Sequence, residues 1–330
     1  RQGCAAVLFD PEEAGDLASG GIDAKTPWIE VPELASRLGL IADRFFQHPS
    51  KAMKVIAITG TNGKTSCSHF LAEALGAGSA VLGTLGFGTP GALIETQHTT
   101  SDAVATHRLL ATLRDRGYRS VVMEASSHGL HQGRMNGVSL VGAVLTNFTR
   151  DHLDYHGTME DYLKAKLRLL TWETLAFIAF NVESPFCDPV MRLVKPGCRL
   201  VGFAKQGVKM NGLDEIVTYG DVRFLPEGIR FQLTYQASSH EVTLPLFGEF
   251  NVENVAATVA ALMGMGDDFD QAISRLQHLK PVPGRMEQVA FGGRHAVIDY
   301  AHTPDALASV LGSVRKHCEG ALWVVFGCGG

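Results

Sequence analysis

The chain has 330 residues, of which 45% are apolar, and a formal net charge of −5. This length predicts two or three domains, the apolar share excludes a disordered chain, and the charge argues against a strongly basic nucleic-acid-binding face. No apolar run approaches the roughly 20 residues of a membrane-spanning helix. Six scattered cysteines without a CxxC pair fit reduced thiols. We therefore expect a cytosolic α/β protein without nucleic-acid or membrane partners.

The first block, residues 1–50, contains an apolar run at 5–9 that predicts a buried strand and a pattern at 32–39 that predicts a helix. At the other end, residues 322–326 predict a strand that only glycine-rich residues follow. In a parallel sheet such a turn leads into a helix. We therefore expect both ends to lie inside domains, so that the chain is incomplete.

The middle of the chain begins with an unbroken apolar run at 54–59, which is typical of a buried parallel strand. Helix patterns then alternate with predicted strands at 120–124 and 142–146. This alternation indicates a mostly parallel sheet flanked by helices.

Residues 199–247 change to period-two runs, which predict antiparallel strands, and residues 251–263 predict an alanine-rich helix. The prolines of 281–284 predict a domain boundary. A βαβ unit should follow it, with a strand at 296–300, a helix opened by Thr303 and Pro304, and a strand at 322–326.

A glycine-rich loop at 60–66 directly follows the first buried strand and precedes a helix. Its glycines allow successive backbone N–H groups to face a phosphate, Lys64 adds a positive charge, and the Thr65 hydroxyl can bind Mg²⁺. The loop is a shortened variant, because Ile58 stands where the usual pattern has its first glycine. We predict nucleotide binding here, against the alternative of an ordinary strand-to-helix turn.

Polar clusters follow the next two predicted strands. Glu124 ends one strand, at the sheet edge where ligands bind, and could be an oxygen ligand of Mg²⁺; a helix cap built by Glu124 or Ser126 is the alternative. Residues 146–156 end the other strand and hold two histidines and two aspartates within six positions. Surface capping is the alternative for this second cluster.

Other candidate residues are ambiguous by pattern. Lys166 closes a helical pattern at 159–166, and spacing alone predicts a solvated lysine. Asn251 and Asn254 share one face of a helix start, where they could contact a purine or ribose, or cap the helix. Arg285 and Asp299 flank the last predicted boundary, which suits a nucleotide closed between domains.

Together these segments resemble the Mur ligases of bacterial peptidoglycan synthesis, in particular the MurE type. The resemblance covers residues 5–330, and its most specific stretches are 59–65, 124–130, 146–160 and 299–307. The phosphate-loop variant alone is also similar to that of folylpolyglutamate synthases, whereas the other three stretches favour the MurE type.

The resemblance implies a three-domain α/β architecture whose central domain is a P-loop, mostly parallel sheet flanked by helices, with both terminal domains incomplete in this chain. Residues 1–50 would be the remnant of the N-terminal domain that binds the UDP substrate. Residues 51–285 would be the central ATP-binding domain, and residues 286–330 the start of a Rossmann-like C-terminal domain that binds the amino acid.

The activity that the resemblance implies is an ATP- and Mg²⁺-dependent ligation in the bacterial cytoplasm. Such an enzyme adds the third amino acid, with meso-2,6-diaminopimelate favoured over lysine, to UDP-MurNAc-L-Ala-D-Glu through an acyl phosphate. The UDP-MurNAc-dipeptide and the diamino acid would be its substrates. This step belongs to cell-wall biogenesis, and so to cell shape and cell division.

Site residues follow from the resemblance position by position. The catalytic residues would be Lys64, Glu124, His152 and Lys166, the last as a carbamate formed with CO₂. The metal ligands would be Thr65, Glu124, His152 and the Lys166 carbamate. The ATP-binding residues would be Gly60, Thr61, Asn62, Gly63, Lys64, Thr65, Ser66, Asn251, Asn254, Arg285, Asp299 and His302. The substrate-binding residues would be His98, Thr99, Thr100, Ser126, Gln132 and Arg134, where His98 departs from the asparagine frequent in the MurE pattern.

Two other functions remain open at this point. The nearest is a related ligase, either a folylpolyglutamate synthase or another Mur step. The other is a non-catalytic protein gated by nucleotide, which would keep its ATP affinity when Lys166 is replaced by alanine.

Overall fold

The computed structural model describes residues 5–14, 26–96, 98–213, 215–291, 294–302 and 304–327. The first block contains β1 (Val7–Phe9), β2 (Trp28–Glu30) and α1 (Leu34–Phe45). The central part contains β3 (Lys54–Thr59), α2 (Lys64–Leu75), β4 (Ser79–Gly83), β5 (Gly86–Thr89), β6 (Ala92–Ile94), α3 (Ala103–Asp115), β7 (Ser120–Glu124), α4 (Ser127–His131), β8 (Gly142–Leu145), α5 (Leu153–His156), α6 (Met159–Leu167), β9 (Phe177–Asn181), α7 (Cys187–Leu193), β10 (Arg199–Lys205), β11 (Ile216–Leu225), β12 (Gly228–Tyr235), β13 (Ser238–Leu244), α8 (Phe250–Gly264) and α9 (Phe269–Arg275). The last block contains β14 (Glu287–Phe291), β15 (Arg294–Ile298) and α10 (Pro304–His317).

Within the described residues, eleven strands form one sheet in the order β13-β12-β11-β10-β9-β8-β3-β7-β4-β5-β6. The strands from β11 to β4 in this order are parallel to their neighbours, and an antiparallel pair extends each end. The mostly parallel sheet predicted from the sequence is therefore confirmed. Because parallel strands end at a common edge, the loops after β3, β7 and β8 lie side by side.

Helices cover both faces of the sheet, as the alternation of β3 side chains requires. Ile56 and Ile58 belong to one buried cluster, together with apolar residues of α2 and α8. Val55 and Ala57 belong to a second cluster, which includes residues of α3. The central strand is buried on both sides, which explains its unbroken apolar run.

Two predicted elements of the first block differ from the structure. The strand at 5–9 is the shorter β1, which pairs in parallel only with β2 within the described residues, so that Leu8 and Ile29 are exposed. The helix predicted at 32–39 continues to Phe45. Gly39 does not end it: a Cβ at this position would lie 2.1 Å from the carbonyl oxygen of Asn136, so the glycine permits close packing inside the helix.

The antiparallel prediction for 199–247 is wrong for its first strand. Residues 199–205 form β10, which lies between β9 and β11 and is parallel to both. Its buried middle is a continuous apolar run, and a strand covered on both faces does not alternate. The later strands β11, β12 and β13 are antiparallel to one another, as predicted.

The βαβ unit predicted after residue 284 is also wrong. The strand predicted at 296–300 is β15, and it forms an antiparallel two-stranded sheet with β14. Residues 321–327 have no strand assignment, and Trp323, Val325 and Phe326 are exposed. Within the described residues this segment pairs with no strand of the three sheets. The helix begins at Pro304 as predicted, and its proposed cap Thr303 lies outside the described residues.

Helix α10 contacts the central part of the chain through His317. Its ring lies 5.0 Å from that of Phe224 and 4.6 Å from that of Phe247, measured between centroids. The His317 Nδ1–H donates to the Leu225 carbonyl at 3.0 Å, and the Gly248 N–H donates to Nε2 at 3.4 Å. These contacts join α10 to the segment that leads into α8.

Candidate active site

The phosphate loop lies between β3 and α2 and depends on two glycines with positive φ. Gly60 has φ of 153° and Gly63 has φ of 83°. A Cβ at Gly60 would lie 1.8 Å from Thr146 Oγ1, and one at Gly63 would lie 2.5 Å from Asn254 Oδ1. The loop therefore packs tightly between β8 and α8 while its backbone curls around the N-terminus of α2, the geometry that binds phosphate.

The segment after β8 holds this loop in place. The Thr61 N–H donates to the Asn147 carbonyl at 2.8 Å, and the Asn62 N–H donates to Asn147 Oδ1 at 2.8 Å. The Thr146 hydroxyl donates to the Asn62 carbonyl at 2.7 Å. The start of the 146–156 cluster therefore supports the phosphate loop rather than capping a surface helix, a role of Asn147 that the sequence did not suggest.

Two lysine amines meet at one backbone carbonyl of the loop. Lys64 Nζ donates to the carbonyls of Gly60 at 3.0 Å and Thr61 at 2.8 Å, and Lys166 Nζ donates to that of Gly60 at 2.7 Å. Lys166 is 1% exposed, so the solvated position that spacing alone predicts is wrong. Burial lowers the pKa of both amines, and the charge of Lys64 lowers that of Lys166 further. An anion entering the loop would relieve their mutual repulsion.

Glu124 is 1% exposed and lies beside the hydroxyl of Thr65. The Thr65 hydroxyl donates to Glu124 Oε2 at 3.2 Å, and the Thr84 N–H donates to Oε1 at 2.9 Å. The alternative of a helix cap is wrong for Glu124, because Ser126 caps α4 by accepting the Gly129 N–H at 3.0 Å. The edge of the sheet thus brings together two oxygen groups from separate strand–helix units.

This pair of oxygen groups fits Mg²⁺. Glu124 has no salt bridge within 4.0 Å among the described residues, so its buried carboxylate is not paired with a cationic side chain. The part of the chain that the structure describes contains no group of three or more His, Cys, Asp or Glu side chains able to hold a metal. Mg²⁺ does not require one, since it commonly takes one or two carboxylates together with waters and substrate phosphates.

His152 lies near this site in a group of aromatic rings. Its φ of 52° is left-handed, and its ring centroid is 4.9 Å from that of His128 and 6.0 Å from that of Tyr162. Its Nε2 is 3.4 Å from Asp151 Oδ2. Burial lowers the pKa of His152, which favours the neutral ring that a metal ligand must have. Among its described contacts none reaches Thr65 or Glu124.

Two asparagines of α8 belong to a buried chain of hydrogen bonds. The Cys67 thiol donates to Asn254 Oδ1 at 3.4 Å, Asn254 Nδ2 donates to Asn251 Oδ1 at 2.9 Å, and Asn251 Nδ2 donates to the Phe247 carbonyl at 2.7 Å. The N-cap of α8 is Glu249, so the capping alternative for Asn251 is wrong. The two amides connect α2 to the segment before α8.

Arg285 reaches the phosphate loop from the last predicted boundary. Its Nη2 donates to Thr65 Oγ1 at 3.3 Å, and its guanidinium lies 5.0 Å from the ring centroid of Tyr300. The side chain of Asp299 accepts two backbone N–H groups, from Met286 at 2.9 Å and Ala301 at 2.8 Å. Asp299 therefore shapes the segment that carries Arg285.

His302, the remaining predicted nucleotide residue, is exposed. Its Nδ1–H donates to the Tyr300 carbonyl at 2.9 Å. Ser66 lies in the first turn of α2 and is buried.

The predicted substrate residues form a connected group around Thr100. The Thr100 hydroxyl donates to the Glu124 carbonyl at 2.9 Å and accepts the Ser126 N–H at 3.0 Å. Arg134 Nη1 donates to the Thr100 carbonyl at 2.7 Å, and Arg134 Nε donates to Gln132 Oε1 at 2.8 Å. This group adjoins the strand end that carries Glu124.

The other two predicted substrate residues are Thr99 and His98. Thr99 lies 3.0 Å from the hydroxyl of Thr84, measured between the two Oγ1 atoms. His98 is exposed, and its backbone carbonyl accepts the Thr96 hydroxyl at 3.4 Å. Thr84 is the contact that sequence reasoning missed, since no motif marks it.

Burial of His69 on α2 makes the stability of this region pH-dependent. Burial, with a smaller effect of Arg285, lowers the pKa of His69 to about 4 from 6.5. Because the folded-state pKa is the lower one, this contribution to stability is complete above pH 6.5 and is lost as the pH falls towards 4. We expect urea denaturation to show that, between pH 6.5 and pH 4, the free energy of unfolding falls by about 3 kcal/mol less in His69→Gln than in the parent protein. Equal losses in both proteins would contradict this assignment.

Comparisons with known proteins identify the family of this chain. Residues 58–262 match the family described as the Mur ligase middle domain, and residues 284–330 match the one described as the Mur ligase glutamate ligase domain. The chain belongs to the Mur ligase family.

A curated relative from Alkalilimnicola ehrlichii is named UDP-N-acetylmuramoyl-L-alanyl-D-glutamate--2,6-diaminopimelate ligase. It is 42% identical to this chain over an alignment of 339 residues, gaps included, which covers 99% of this chain. A solved structure with the same name has a TM-score of 0.77 and 36% identity, covering 93% of this chain and 63% of its own. A folylpolyglutamate synthase from Mycobacterium tuberculosis has a TM-score of 0.68 at 17% identity, covering 86% of this chain and 71% of its own, and is similar in fold alone.

The chain spans about two thirds of the length of these curated Mur ligase relatives, 67% of the first and 66% of the next. Among the described helices, none combines the length and the apolar character that crossing a membrane requires. Four described cysteines, Cys67, Cys187, Cys198 and Cys318, are free thiols.

Proposed function

We propose that this Mur ligase chain carries the ATP-binding part of an enzyme that adds a diamino acid, with meso-2,6-diaminopimelate favoured, to UDP-MurNAc-L-Ala-D-Glu. The observation that carries the proposal is the meeting of the buried Lys166 amine and the half-buried Lys64 amine at the Gly60 carbonyl, beside the Thr65–Glu124 oxygen pair. Such a site suits the transfer of a phosphoryl group. The substrates follow from the name of two relatives that are 42% identical to this chain.

The proposed reaction forms an amide in two steps. The carboxylate of the UDP-MurNAc-dipeptide attacks the γ-phosphorus of ATP, ADP leaves, and an acyl phosphate forms. The amine of the diamino acid then attacks the acyl carbon, phosphate leaves, and a proton is released from the nitrogen. The protein needs no covalent nucleophile, because positioning and neutralisation of phosphate charge carry most of the rate enhancement.

The phosphate loop supplies that charge neutralisation. The backbone of Gly60, Thr61, Asn62 and Gly63 would surround the phosphates, and Lys64 would leave its two carbonyl acceptors to pair with them. Bound Mg²⁺ would neutralise phosphate charge, held by Thr65 and Glu124 with His152 and the Lys166 carbamate as further ligands. Ser66, next to Thr65 at the start of α2, completes the proposed phosphate contacts.

Lys166 is proposed to act as a carbamate. Its lowered pKa leaves a larger share of neutral amine near pH 7, and only the neutral amine can attack CO₂. The nitrogen lone pair forms a bond to the carbon of CO₂, one C=O pair moves to oxygen, and a proton leaves the nitrogen. The product is an anionic group with two oxygen donors, which suits Mg²⁺ and would relieve the repulsion between Lys166 and Lys64.

The nucleoside and the dipeptide substrate are proposed to bind at opposite sides of this centre. Asn251, Asn254 and Arg285 would contact or organise the nucleotide, with Asp299 and His302 holding the segment around Arg285. Thr99, Thr100, Ser126, Gln132 and Arg134 offer polar groups for the UDP-MurNAc-dipeptide, and His98 would add a contact from its exposed position.

The proposed division of the chain assigns residues 1–50 to the domain that binds the UDP substrate, 51–285 to the ATP-binding domain and 286–330 to the amino-acid-binding domain. The separate family matches at 58–262 and 284–330 support the last boundary. We also propose the bacterial cytoplasm as the location, which is supported by the use of ATP and by the free thiols.

The test is phosphate release by a full-length protein that contains this chain. ATP, Mg²⁺ and UDP-MurNAc-L-Ala-D-Glu would be supplied with diaminopimelate or with lysine in separate reactions. Release that requires both the UDP-dipeptide and diaminopimelate is expected. Release with a folate substrate instead would indicate a folylpolyglutamate synthase, and ATP binding without release under any condition would indicate a non-catalytic protein.

A further inference from the structure

Thr84 connects two parts of the site that no motif links. It lies in the turn between β4 and β5, and its hydroxyl is 3.1 Å from Glu124 Oε2 and 3.0 Å from Thr99 Oγ1. Its backbone N–H donates to Glu124 Oε1 at 2.9 Å. One residue therefore holds both oxygens of the buried carboxylate and also contacts the 98–100 segment.

The directions of these hydrogen bonds follow from the number of protons. A carboxylate only accepts, so the single proton of the Thr84 hydroxyl points to Glu124. The Thr84 oxygen then accepts the proton of Thr99. The hydroxyl of Thr65 donates to the same Oε2 atom at 3.2 Å. Glu124 is thus held from two sides, by the phosphate loop and by a chain of hydroxyls from Thr99.

The end of β4 approaches Glu124 so closely that a side chain there would displace it. A Cβ at Gly83 would lie 2.2 Å from Glu124 Oε1. This contact fixes the carboxylate against the backbone, and the adjacent Thr84 determines its rotation. The arrangement resembles that of a metal-binding carboxylate whose partners orient it.

We propose that Thr84 is a positioning residue that orients Glu124 for a divalent cation and links it to the 98–100 segment. The proposal rests on the proposed function, because that function makes Glu124 a metal ligand. Thr84 touches neither nucleotide nor substrate in this role. It acts only through Glu124 and Thr99.

The test measures binding of Mn²⁺, in place of Mg²⁺, to the full-length protein with a non-hydrolysable ATP analogue, by calorimetry and without turnover. Thr84→Val keeps the backbone N–H and the shape but removes the hydroxyl, and is expected to raise the dissociation constant of Mn²⁺ by about tenfold. Thr84→Ser restores the hydroxyl and should bind within about threefold of the parent protein. Thr89→Val, which removes a hydroxyl that contacts only Tyr118 among its described side-chain partners, is the matched control.

The outcomes separate this proposal from the proposed function. If the parent protein binds no divalent cation with the nucleotide, the metal site of the proposed function fails. If the parent protein binds Mn²⁺ and Thr84→Val binds it equally well, the positioning role of Thr84 is wrong. If Thr84→Ser is impaired as much as Thr84→Val, the hydroxyl alone does not restore binding, and the assignment of the positioning role to the hydroxyl is wrong. Thermal denaturation of each variant checks that the fold is retained.

Discussion

Replacing Lys64 with methionine is expected to lower turnover by about 10²- to 10³-fold. The phosphate loop loses the cation that stabilises the negative charge of the phosphoryl group during its transfer. The folded protein should not be destabilised. Lys64 is a half-buried amine with a lowered pKa that lies beside a second amine at the Gly60 carbonyl, so its removal ends a repulsion. Steady-state phosphate release and thermal denaturation measure the two effects.

Lys54→Met is the matched control for this variant. Lys54 begins β3 at the opposite end of the strand from the loop and is exposed. It should keep the turnover of the parent protein within about twofold, as expected of a surface substitution. Turnover by Lys64→Met close to that of the parent protein would contradict the assignment of phosphate binding to this loop.

Replacing Lys166 with methionine is expected to reduce turnover by about 100-fold while the affinity for ATP changes much less, since a ligand of the metal is lost and the phosphate loop remains. The carbamate itself has a direct signature. The protein equilibrated with isotopically labelled bicarbonate should show one carbamate carbon resonance by NMR, and the resonance should be absent from Lys166→Met.

Lys164→Met provides the comparison on the same helix. Lys164 is exposed and pairs with Glu160 at 3.0 Å, so it should retain both turnover and the carbamate resonance. Unchanged turnover in Lys166→Met would remove the catalytic role of this lysine. If Lys166→Met loses turnover but the parent protein shows no carbamate resonance, the Lys166 amine has a role in the reaction and the carbamate is excluded.

The phosphate loop could be predicted from the sequence because all its parts are neighbours in the chain. A buried strand, two glycines, Lys64 and the start of α2 lie within twelve residues, and local backbone geometry places them. The proximity of Glu124 to Thr65 was also within reach, since the carboxyl ends of adjacent parallel strands meet at one edge. The structure confirms both the strand order that this requires and the contact itself.

Predictions from local sequence pattern were wrong where tertiary packing determines the burial of a side chain or the pairing of a strand. The spacing of α6 predicts a solvated Lys166, yet its amine lies at the Gly60 carbonyl, 106 positions away in the chain. Residues 322–326 have the composition of a strand, but a strand needs a partner for its backbone, and this segment belongs to none of the described sheets. Residues 199–205 become parallel because of the strands on either side.

The sequence by itself determined the α/β class and the phosphate loop, and its resemblance to the Mur ligases named the candidate residues for phosphate, metal and substrate. Only the tertiary structure decided which of them meet: the two lysines at Gly60, the Asn254 side chain against Gly63, and Thr84 between Glu124 and Thr99. The physical reason is the range of the forces involved. Backbone conformation follows from adjacent residues, whereas burial, pKa shifts and hydroxyl contacts arise between groups that folding brings together from distant parts of the chain.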